Sequence, residues 1–461
     1  MNQSPRKDAP APVAALLAPD ILALLKDSPA DVAAETEELH AADLAEVAEA
    51  LPVERIPAFL RALPPGRAAD VLEYLDEELR ADVLERMSTA QAAQLVTEMT
   101  PDERADVLEE LEEERADQIL SEIPSEARGE TEQLLSYAPD TAGGLMTTEF
   151  VSVSEELSVE DALQSVRAAA REGRTEAMHT VYTTDRDDRL VGVLSLRELL
   201  AAPAGAPLSE AAWTQVVSVS PNVDREEVAR ITSKYDLVAV PVVDDDRKLL
   251  GVVTVDDVID AIEEEQTEDV QRLGGVEPLE EPYFQASFWS IARKRGGWLT
   301  LLFLAEMLTG TLLRHFEATI AGALALVFFV PLIISSGGNS GSQSASLITR
   351  ALAVGDVELR DAWRVLRREV GQGLALGAFL GAIGFVRAVM WGNGGAVGTV
   401  VAMTLVLVVL TGTVAGAMMP IILRRMGFDP ALASSPFVAS FVDVAGILIY
   451  MTIAVRVLAL P

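Results

Sequence analysis

Residues 397–423 read VGTVVAMTLVLVVLTGTVAGAMMPIIL, a mostly apolar run without a charged side chain. A helix requires about 20 apolar residues to cross a bilayer core, so this run predicts a membrane-spanning helix. Five such spans are predicted: Gly297–Leu313, Ala318–Thr349, Val370–Trp391, Val397–Leu423 and Ala431–Val455. The alternative is a buried helical core in a soluble protein, and five such runs in succession would then need a very large covering shell.

The charge of the chain is distributed unevenly. Among 461 residues there are 71 acidic and 36 basic side chains, a net charge of −35. From Ser290 onward there are eight acidic and 13 basic residues, which leaves 63 acidic and 23 basic residues before it. An acidic, water-soluble part therefore precedes an apolar, slightly basic part. This acidity excludes a nucleic-acid binder that relies on phosphate attraction, and the absence of cysteine excludes disulfides and thiolate metal sites.

Basic residues predict the orientation in the membrane. Three basic groups flank the spans on the same side if there are five crossings: residues 293–295, 350–368 and 424–425. Cytoplasmic loops carry the excess of Lys and Arg, so we expect the acidic part in the cytoplasm and the C-terminus outside it, in the cell (inner) membrane. The polar start, Met1–Val13, has no apolar core of the kind that a signal peptide requires.

A helical repeat precedes the membrane part. The segments Ala69–Leu72, Ala81–Leu84, Ala93–Val96 and Ala105–Leu108 recur every 12 residues, and Ala116–Ile119 follows. A short amphipathic helix cannot bury its apolar face alone, whereas stacked units form a superhelical solenoid.

A different pattern, with strand-like runs between helical stretches, occupies residues 138–265. Its two halves echo each other in Arg189–Glu198 and Lys248–Asp257, and they resemble a tandem pair of CBS domains. This resemblance implies an adenine-nucleotide site, with ATP as the candidate, formed by Thr254, Asp257, Ser195 and Arg197. The alternative is that the hydroxyl residues only cap the helix that follows each strand.

Two carboxylates lie in the middle of predicted spans, Glu306 in the first and Asp443 in the fifth. Ionisable groups at this depth are costly and indicate function. Small residues, Ala439 and Gly446, share a helix face with Asp443 and favour a hard-cation site with carbonyl oxygens. The polar run 335–346 in the second span predicts either a water-lined path or a small-residue packing seam, with Ser335, Asn339, Ser342 and Ser346 along one stripe.

Together these features resemble the MgtE magnesium channels and transporters. The matching stretches are Gly337–Asn339, Gln343–Ala345, Asp429–Leu432 and Asp443-Val444. The resemblance implies a homodimer with one central pore, in which Asp443 is the essential pore aspartate, with backbone contributions near Ala439, Gly446 and Gly338. It places a second ion position near Asp429. Ser342 stands where the family usually has asparagine, and serine is shorter.

The fold class that follows is a multi-domain membrane protein with an α-helical superhelical N-domain, α/β tandem CBS domains, a linker (plug) helix and a five-helix α transmembrane domain. The expected boundaries are an N-terminal segment at 1–37, the helical repeat at 38–137, CBS domains at 138–203 and 204–265, the linker at 266–292 and the membrane domain at 293–461.

The function implied is Mg²⁺ uptake down its electrochemical gradient, closed by Mg²⁺ that bridges acidic cytoplasmic domains. The candidate bridging acids by resemblance are Asp102, Asp106, Asp224, Glu226, Asp236, Asp257, Asp260, Glu265, Glu268 and Asp269. Each of them is alternatively a solvated surface charge.

Three competing functions remain from the sequence. A CBS-containing anion channel conflicts with the central acids, whereas an exporter or a carrier of other divalent ions such as Co²⁺ or Mn²⁺ does not. A membrane-anchored nucleotide sensor would not need the polar second span. An enzyme is disfavoured, since we find no nucleophile–base set and no phosphate-cradling loop.

Overall fold

A computed structural model describes residues 13–171, 178–279, 283 and 286–460. Contacts divide the chain into two compact units, Met1–Ile262 and Glu263–Pro461. Parts of the predicted N-terminal segment (1–12), of the first CBS domain (172–177) and of the linker (280–282 and 284–285) lie outside the described residues.

The first unit begins with a stack of short helices. They are α1 Val13–Asp27, α2 Val32–Glu35, α3 Ala41–Glu49, α4 Ile56–Ala62, α5 Pro65–Glu73, α6 Glu77–Arg86, α7 Thr89–Thr97, α8 Pro101–Glu109, α9 Glu113–Glu122 and α10 Ser125–Leu134. The helices from α5 to α10 begin 12 residues apart, so the predicted helical repeat is confirmed. Each helix packs against the helix two positions further along the chain, as α5 does against α7 and α6 against α8. This packing gives a two-layered superhelix.

Arginines hold this stack together by satisfying helix ends. Arg115 donates hydrogen bonds to the carbonyl oxygens of Leu84 and Met87, each at 2.7 Å. Arg104 donates to the carbonyl oxygen of Met99 at 2.9 Å. The last carbonyls of a helix have no partner within it, so these buried guanidinium groups replace the solvent that packing removes.

The CBS part contains two small sheets with helices between their strands. Its elements are β1 Val151–Ser154, α11 Val159–Arg171, β2 Thr180–Thr184, β3 Leu190–Ser195, α12 Leu196–Ala201, α13 Leu208–Ala211, α14 Arg225–Tyr235, β4 Ala239–Val243, β5 Leu249–Thr254 and α15 Val255–Leu273. β1 pairs parallel to β2, and β2 pairs antiparallel to β3, as β4 does to β5. Ser195 and Thr254 end equivalent strands, β3 and β5. The two halves are therefore similar in structure as well as in sequence.

Among its described residues, the second unit contains five helical segments that are long and apolar enough to cross a membrane, as predicted. Its helices are α16 Phe288–His315, α17 Glu317–Gly322, α18 Val330–Ala353, α19 Ala362–Met390, α20 Gly394–Arg425 and α21 Ser435–Leu458. The second span starts with a 3₁₀ turn at Leu324–Phe329, because Pro331 opens α18 rather than bending it.

Glycines bring α18 and α20 into backbone contact. A Cβ atom placed on Gly416 would overlap the carbonyl oxygen of Gly341, and one on Gly412 would overlap that of Gly337. Small residues at four-residue spacing allow such close approach between membrane helices. This seam fixes which face of α18 is buried, and so it also decides which face remains open.

Replacing Gly416 with alanine is expected to reduce the thermal stability of the detergent-solubilised chain markedly. The added methyl group has no space, and overpacking of this kind costs about 1–3 kcal/mol or more. Gly395→Ala is the matched control on the same helix, because nothing lies within 4 Å of the added Cβ. Equal melting temperatures for the two variants would contradict the seam.

Candidate functional site

The polar run of α18 has one buried and one open face. Gly337, Gly341, Ser344 and Ala345 are buried against neighbouring helices. Ser335, Asn339, Gln343 and Ser346 are exposed, and Ser342 is half-buried. A single chain therefore leaves a stripe of polar side chains uncovered on a membrane-spanning helix. Polar groups are costly in hydrocarbon, so this stripe requires water or a second protein surface.

Hydrogen bonds within the stripe leave much of its capacity unused. The Asn339 amide donates to the Ser335 hydroxyl at 3.2 Å. The Ser342 hydroxyl donates to the carbonyl oxygen of Ser435 at 3.2 Å. Ser342 thus connects α18 to the first residue of α21.

Asp443 lies half-buried on α21, opposite a gap in α18. A Cβ atom on Gly338 would lie 3.8 Å from Oδ1 of Asp443 and 3.4 Å from Cβ of Ala439. The missing side chain at Gly338 therefore leaves space in front of the carboxylate. The structure brings Gly338, Ala439 and Asp443 together, whereas Gly446 is buried and faces Val408 of α20, 3.4 Å from its missing Cβ.

Arg387 and Glu369 are two further charged side chains within the helices of the membrane unit. The guanidinium of Arg387 lies over the ring of Trp391, 4.1 Å from its centroid. Glu369 is only 6% exposed and accepts a hydrogen bond from the Ser344 hydroxyl at 2.8 Å. Sequence reasoning missed Glu369, because the predicted span started at Val370 and left this residue with the preceding arginines.

The second predicted ion position, Asp429, is engaged by a cation of the chain itself. Arg272, near the end of α15, contacts Oδ2 of Asp429 at 2.6 Å and Glu268 at 2.6 Å. Burial, together with the charges of Asp429 and Glu265, raises the pKa of Asp269 to about 6. Four of the predicted acids, Glu265, Glu268, Asp269 and Asp429, thus lie near Arg272 at the end of α15.

A second group of carboxylates lies in the first unit, where α5, α8 and α15 meet. We call this group the acid cluster, and its members are Glu73, Asp102, Glu103, Asp106 and Asp257. Arg80 contacts Glu103 at 3.7 Å but shares its charge with Glu110. Asp102, Asp106 and Asp257 are among the acids predicted from the sequence, whereas Glu73 and Glu103 are not. Both glutamates lie in helices of the 12-residue repeat. The repeat alone does not show which of its helices face the CBS part.

The acid cluster holds protons more strongly than isolated carboxylates do. Burial, followed by the charges of Asp70 and Asp102, raises the pKa of Glu73 to about 7. Burial and the charge of Glu73 raise the pKa of Glu103 to about 9. The side chain of Asp106 is exposed, but the surrounding protein displaces water from one side of it. This partial burial and the charge of Asp102 raise the pKa of Asp106 to about 7. Burial and the neighbouring like charges outweigh the nearby charge of Arg80, so these carboxylates favour their protonated forms.

Asp102 is the most enclosed member of the acid cluster. It is 4% exposed, and its Oδ1 atom has no hydrogen-bond partner among the described residues. Burial also raises the pKa of both Asp102 and Asp257. Within the part of the chain that the structure describes, no group of three or more Asp, Glu or His is arranged to hold a metal ion as it stands. A cation therefore needs water or small rearrangements to bind here.

The remaining predicted acids lie at the surface of the CBS part or close to it. Asp224 caps α14 and accepts a hydrogen bond from the Glu226 amide at 2.8 Å. Asp236 ends the same helix with a φ of +51°. Asp224, Glu226, Asp236 and Asp260 all have exposed side chains.

The predicted nucleotide residues show the capping arrangement. The Ser195 hydroxyl and the Glu198 carboxylate form a capping box at the start of α12, while Arg197 is exposed. The Thr254 hydroxyl donates to Asp257 at 2.5 Å. Capping and ribose binding use the same atoms, so this geometry is compatible with both interpretations.

Family models match three parts of the chain. A divalent cation transporter family, MgtE, matches residues 330–453, the MgtE intracellular N domain matches 39–140, and CBS domains match 142–205 and 208–264. The magnesium transporter MgtE of Thermus thermophilus is 44% identical over 327 residues, which cover 71% of this chain and 72% of that protein. That of Enterococcus faecalis is 36% identical over 333 residues, which cover 72% of each chain.

Two solved structures resemble the soluble part. The soluble part of a magnesium transporter has a TM-score of 0.52 at 33% identity and covers 55% of this chain and 99% of that one. The cytosolic domain of the Mg²⁺ channel MgtE in complex with ATP has a TM-score of 0.50 at 35% identity and covers 53% of this chain and 99% of that one.

Proposed function

Since the chain belongs to the MgtE family of magnesium transporters, we propose that it carries Mg²⁺ into the cell and that Mg²⁺ on its soluble side closes it. It is a membrane protein of a transporter family, which is not an enzyme class. The direction of transport, the closure by Mg²⁺ and the residues involved are our proposals. The observation that carries them is the uncovered polar stripe of α18 beside Asp443.

Two copies of the chain form the path in this proposal. The stripe of Ser335, Asn339, Ser342 and Ser346 cannot face lipid, and a two-fold arrangement encloses it against its own symmetry mate. Water then fills the space between the two stripes. This homodimer also brings two copies of Asp443 to one axis.

The carboxylates of Asp443 select a divalent ion by charge rather than by close coordination. Mg²⁺ dehydrates reluctantly, so it keeps most of its water shell and is bound through that shell. Two negative charges attract a divalent ion more strongly than a monovalent one. The gap at Gly338 gives the hydrated ion room, and carbonyl oxygens near Ala439 accept hydrogen bonds from its waters. At Ser342 a shorter hydroxyl replaces the asparagine usual in the family, and it leaves more room for water.

Closure starts at the acid cluster. With little Mg²⁺ the carboxylates of Asp102, Asp106 and Asp257 repel one another, and protons or solvent must compensate. With ample Mg²⁺ the ion takes the place of those protons and draws α8 and α15 together. Ligands shift a conformational equilibrium only through such a difference in affinity between its states. The exposed acids Asp224, Glu226, Asp236 and Asp260 extend the same interaction to the second copy.

The end of α15 connects to the membrane helices in this proposal. Asp429 lies in the loop before α21, and Arg272 holds it to α15 together with Glu268. Glu265 and Asp269 add negative charge beside this ion pair. A cation that binds these acids competes with Arg272 for Asp429, so the mouth of the path responds to Mg²⁺.

ATP is a proposed ligand of the CBS part. The support is the related cytosolic domain whose structure contains ATP, together with the equivalent strand ends at Ser195 and Thr254. Asp257 belongs to both the nucleotide residues and the acid cluster, so ATP and Mg²⁺ would influence each other there.

The proposal is tested by recording from excised membrane patches. Mg²⁺ applied to the soluble side at millimolar concentration should stop the Mg²⁺ current, and its removal should restore the current, because closure needs the ion at the acid cluster. In Mg²⁺-starved cells the chain should support uptake rather than loss of Mg²⁺. A Mg²⁺ current that stays unchanged when Mg²⁺ is added on the soluble side, or a net export of Mg²⁺ from the cells, would contradict the proposal.

A further inference from the structure

Glu306 of α16 is a charged side chain at membrane depth that the path described above does not use. It is exposed in the single chain, and Thr309 is the one residue of α16 that the described structure buries. An exposed carboxylate in the middle of a bilayer is too costly to face hydrocarbon, so it indicates water or a cation. The residues around it decide between these surroundings.

A groove runs along α16 and reaches Glu306. Its volume is about 650 Å³, and its lining is Gly296, Leu299, Thr300, Leu302, Phe303, Glu306 and Ser440. Ser440 lies on α21, one turn before Asp443. The groove therefore joins the face of α16 that carries Glu306 to the helix that carries Asp443.

The two carboxylates lie at similar depth. Glu306 follows the basic group at residues 293–295 by about 16 Å of helix, and Asp443 follows the start of α21 by about 12 Å, at 1.5 Å per residue. Both helices begin on the same side of the membrane, since they are the first and the fifth span. In a hydrocarbon core of about 30 Å, each acid is near the middle.

The size and chemistry of the groove suit a hydrated cation. Six waters at about 30 Å³ each occupy on the order of 180 Å³, well below the volume of the groove. The hydroxyl of Thr300 donates to the carbonyl oxygen of Gly296 at 2.8 Å, so it presents its lone pairs to the groove. Ser440 adds a second hydroxyl, and Leu302 and Phe303 form the apolar part of the lining.

We propose that Glu306 is a second cation-binding residue of the transport path, which holds a hydrated divalent ion in the groove between α16 and α21 before or after it meets Asp443. The inference rests on the proposed function, because it assumes that ions reach Asp443. It adds a site on the first span, which the path between two copies of α18 does not contain.

The first test compares the Mg²⁺ dependence of flux in proteoliposomes. Glu306→Gln should raise the Mg²⁺ concentration for half-maximal flux about tenfold, which equals the loss of one charge-assisted contact, and should leave the maximal rate within about twofold. Asp356→Asn, in the exposed loop after α18, is the charge-matched control and should change neither value. An unchanged half-maximal concentration in Glu306→Gln, with an active parent chain, would overturn the proposal and leave the proposed function standing.

The second test uses the absence of cysteine from the chain. Glu306→Cys in lipid vesicles should react with a charged, water-soluble thiol reagent, and Mg²⁺ should slow the reaction. Leu308→Cys, two residues on and 57% exposed, points away from the groove and should not react. If the thiol of Glu306→Cys reacted as slowly as that of Leu308→Cys, position 306 would face lipid and the proposal would be overturned. This readout does not depend on transport, so it also separates failure of this inference from failure of the proposed function.

Discussion

Replacing Asp443 with asparagine is expected to abolish Mg²⁺ uptake while the chain still folds. Asparagine has nearly the same volume, so the contacts around Gly338 and Ala439 remain. In the proposed homodimer the path then loses two negative charges, and each charge-assisted contact contributes about 1.5 kcal/mol, so affinity for the hydrated ion should fall on the order of a hundredfold. The measurement is Mg²⁺ uptake in Mg²⁺-starved cells.

Asp356→Asn is the control for this variant, because it removes the same charge from an exposed loop of the membrane unit. Uptake by Asp356→Asn should match that of the parent chain. If Asp443→Asn supported growth as well as the parent at equal amounts in the membrane, Asp443 would not be the pore residue.

The acid cluster is expected to exchange protons for Mg²⁺. The pKa values of Glu73, Glu103 and Asp106 are about 7, 9 and 7 in the fold, above their unfolded values. The folded state therefore binds more protons than the unfolded state between about pH 4 and 9, and without Mg²⁺ its stability falls as the pH rises through this range. Because Mg²⁺ displaces the protons, its binding should reverse the loss at pH 8 and release protons.

This exchange is measured on the full chain in detergent. Melting temperature is followed from pH 6 to 9 with and without Mg²⁺, and proton release during a Mg²⁺ titration is followed in weak buffer. With a pKa of about 9, Glu103 must take up a proton when the chain folds at pH 8. Glu103→Gln removes this cost, so it should raise the melting temperature at pH 8 without Mg²⁺, and it should release fewer protons.

Glu114→Gln is the matched control for Glu103→Gln, since Glu114 is an exposed acid of the next helix in the repeat. It should leave both measurements unchanged. A melting temperature independent of pH and Mg²⁺ in the parent chain would mean that the acid cluster is not a cation site.

The features that the sequence predicts well are those that repeat or have a fixed length. The five spans follow from runs such as 397–423, because a bilayer imposes one length on every helix that crosses it. The helical stack follows from the 12-residue spacing of its apolar motifs, and the helices from α5 to α10 keep that spacing. The two CBS halves follow from the likeness of Arg189–Glu198 to Lys248–Asp257.

The features that the sequence does not predict depend on which helix faces which. Glu73 and Glu103 lie 30 residues apart in the sequence, and only the folded superhelix brings the charge of Glu73 close enough to raise the pKa of Glu103. The contact of Arg272 with Asp429 joins residues 157 positions apart. In the sequence, Glu369 looks like the end of a basic loop. The structure shows instead that it accepts a hydrogen bond from Ser344 of α18. The periodicity of a sequence predicts which face of its own helix or strand a residue occupies. It does not predict which other helix or strand packs against that face.

The central claim is that Mg²⁺ crosses the membrane past Asp443. It is tested most directly by Mg²⁺ flux into proteoliposomes that contain only the purified chain and a Mg²⁺-sensitive dye. We expect the parent chain and Asp356→Asn to admit Mg²⁺ down its gradient without ATP, and Asp443→Asn to admit none above empty vesicles. Flux through Asp443→Asn at the rate of the parent chain would contradict the account.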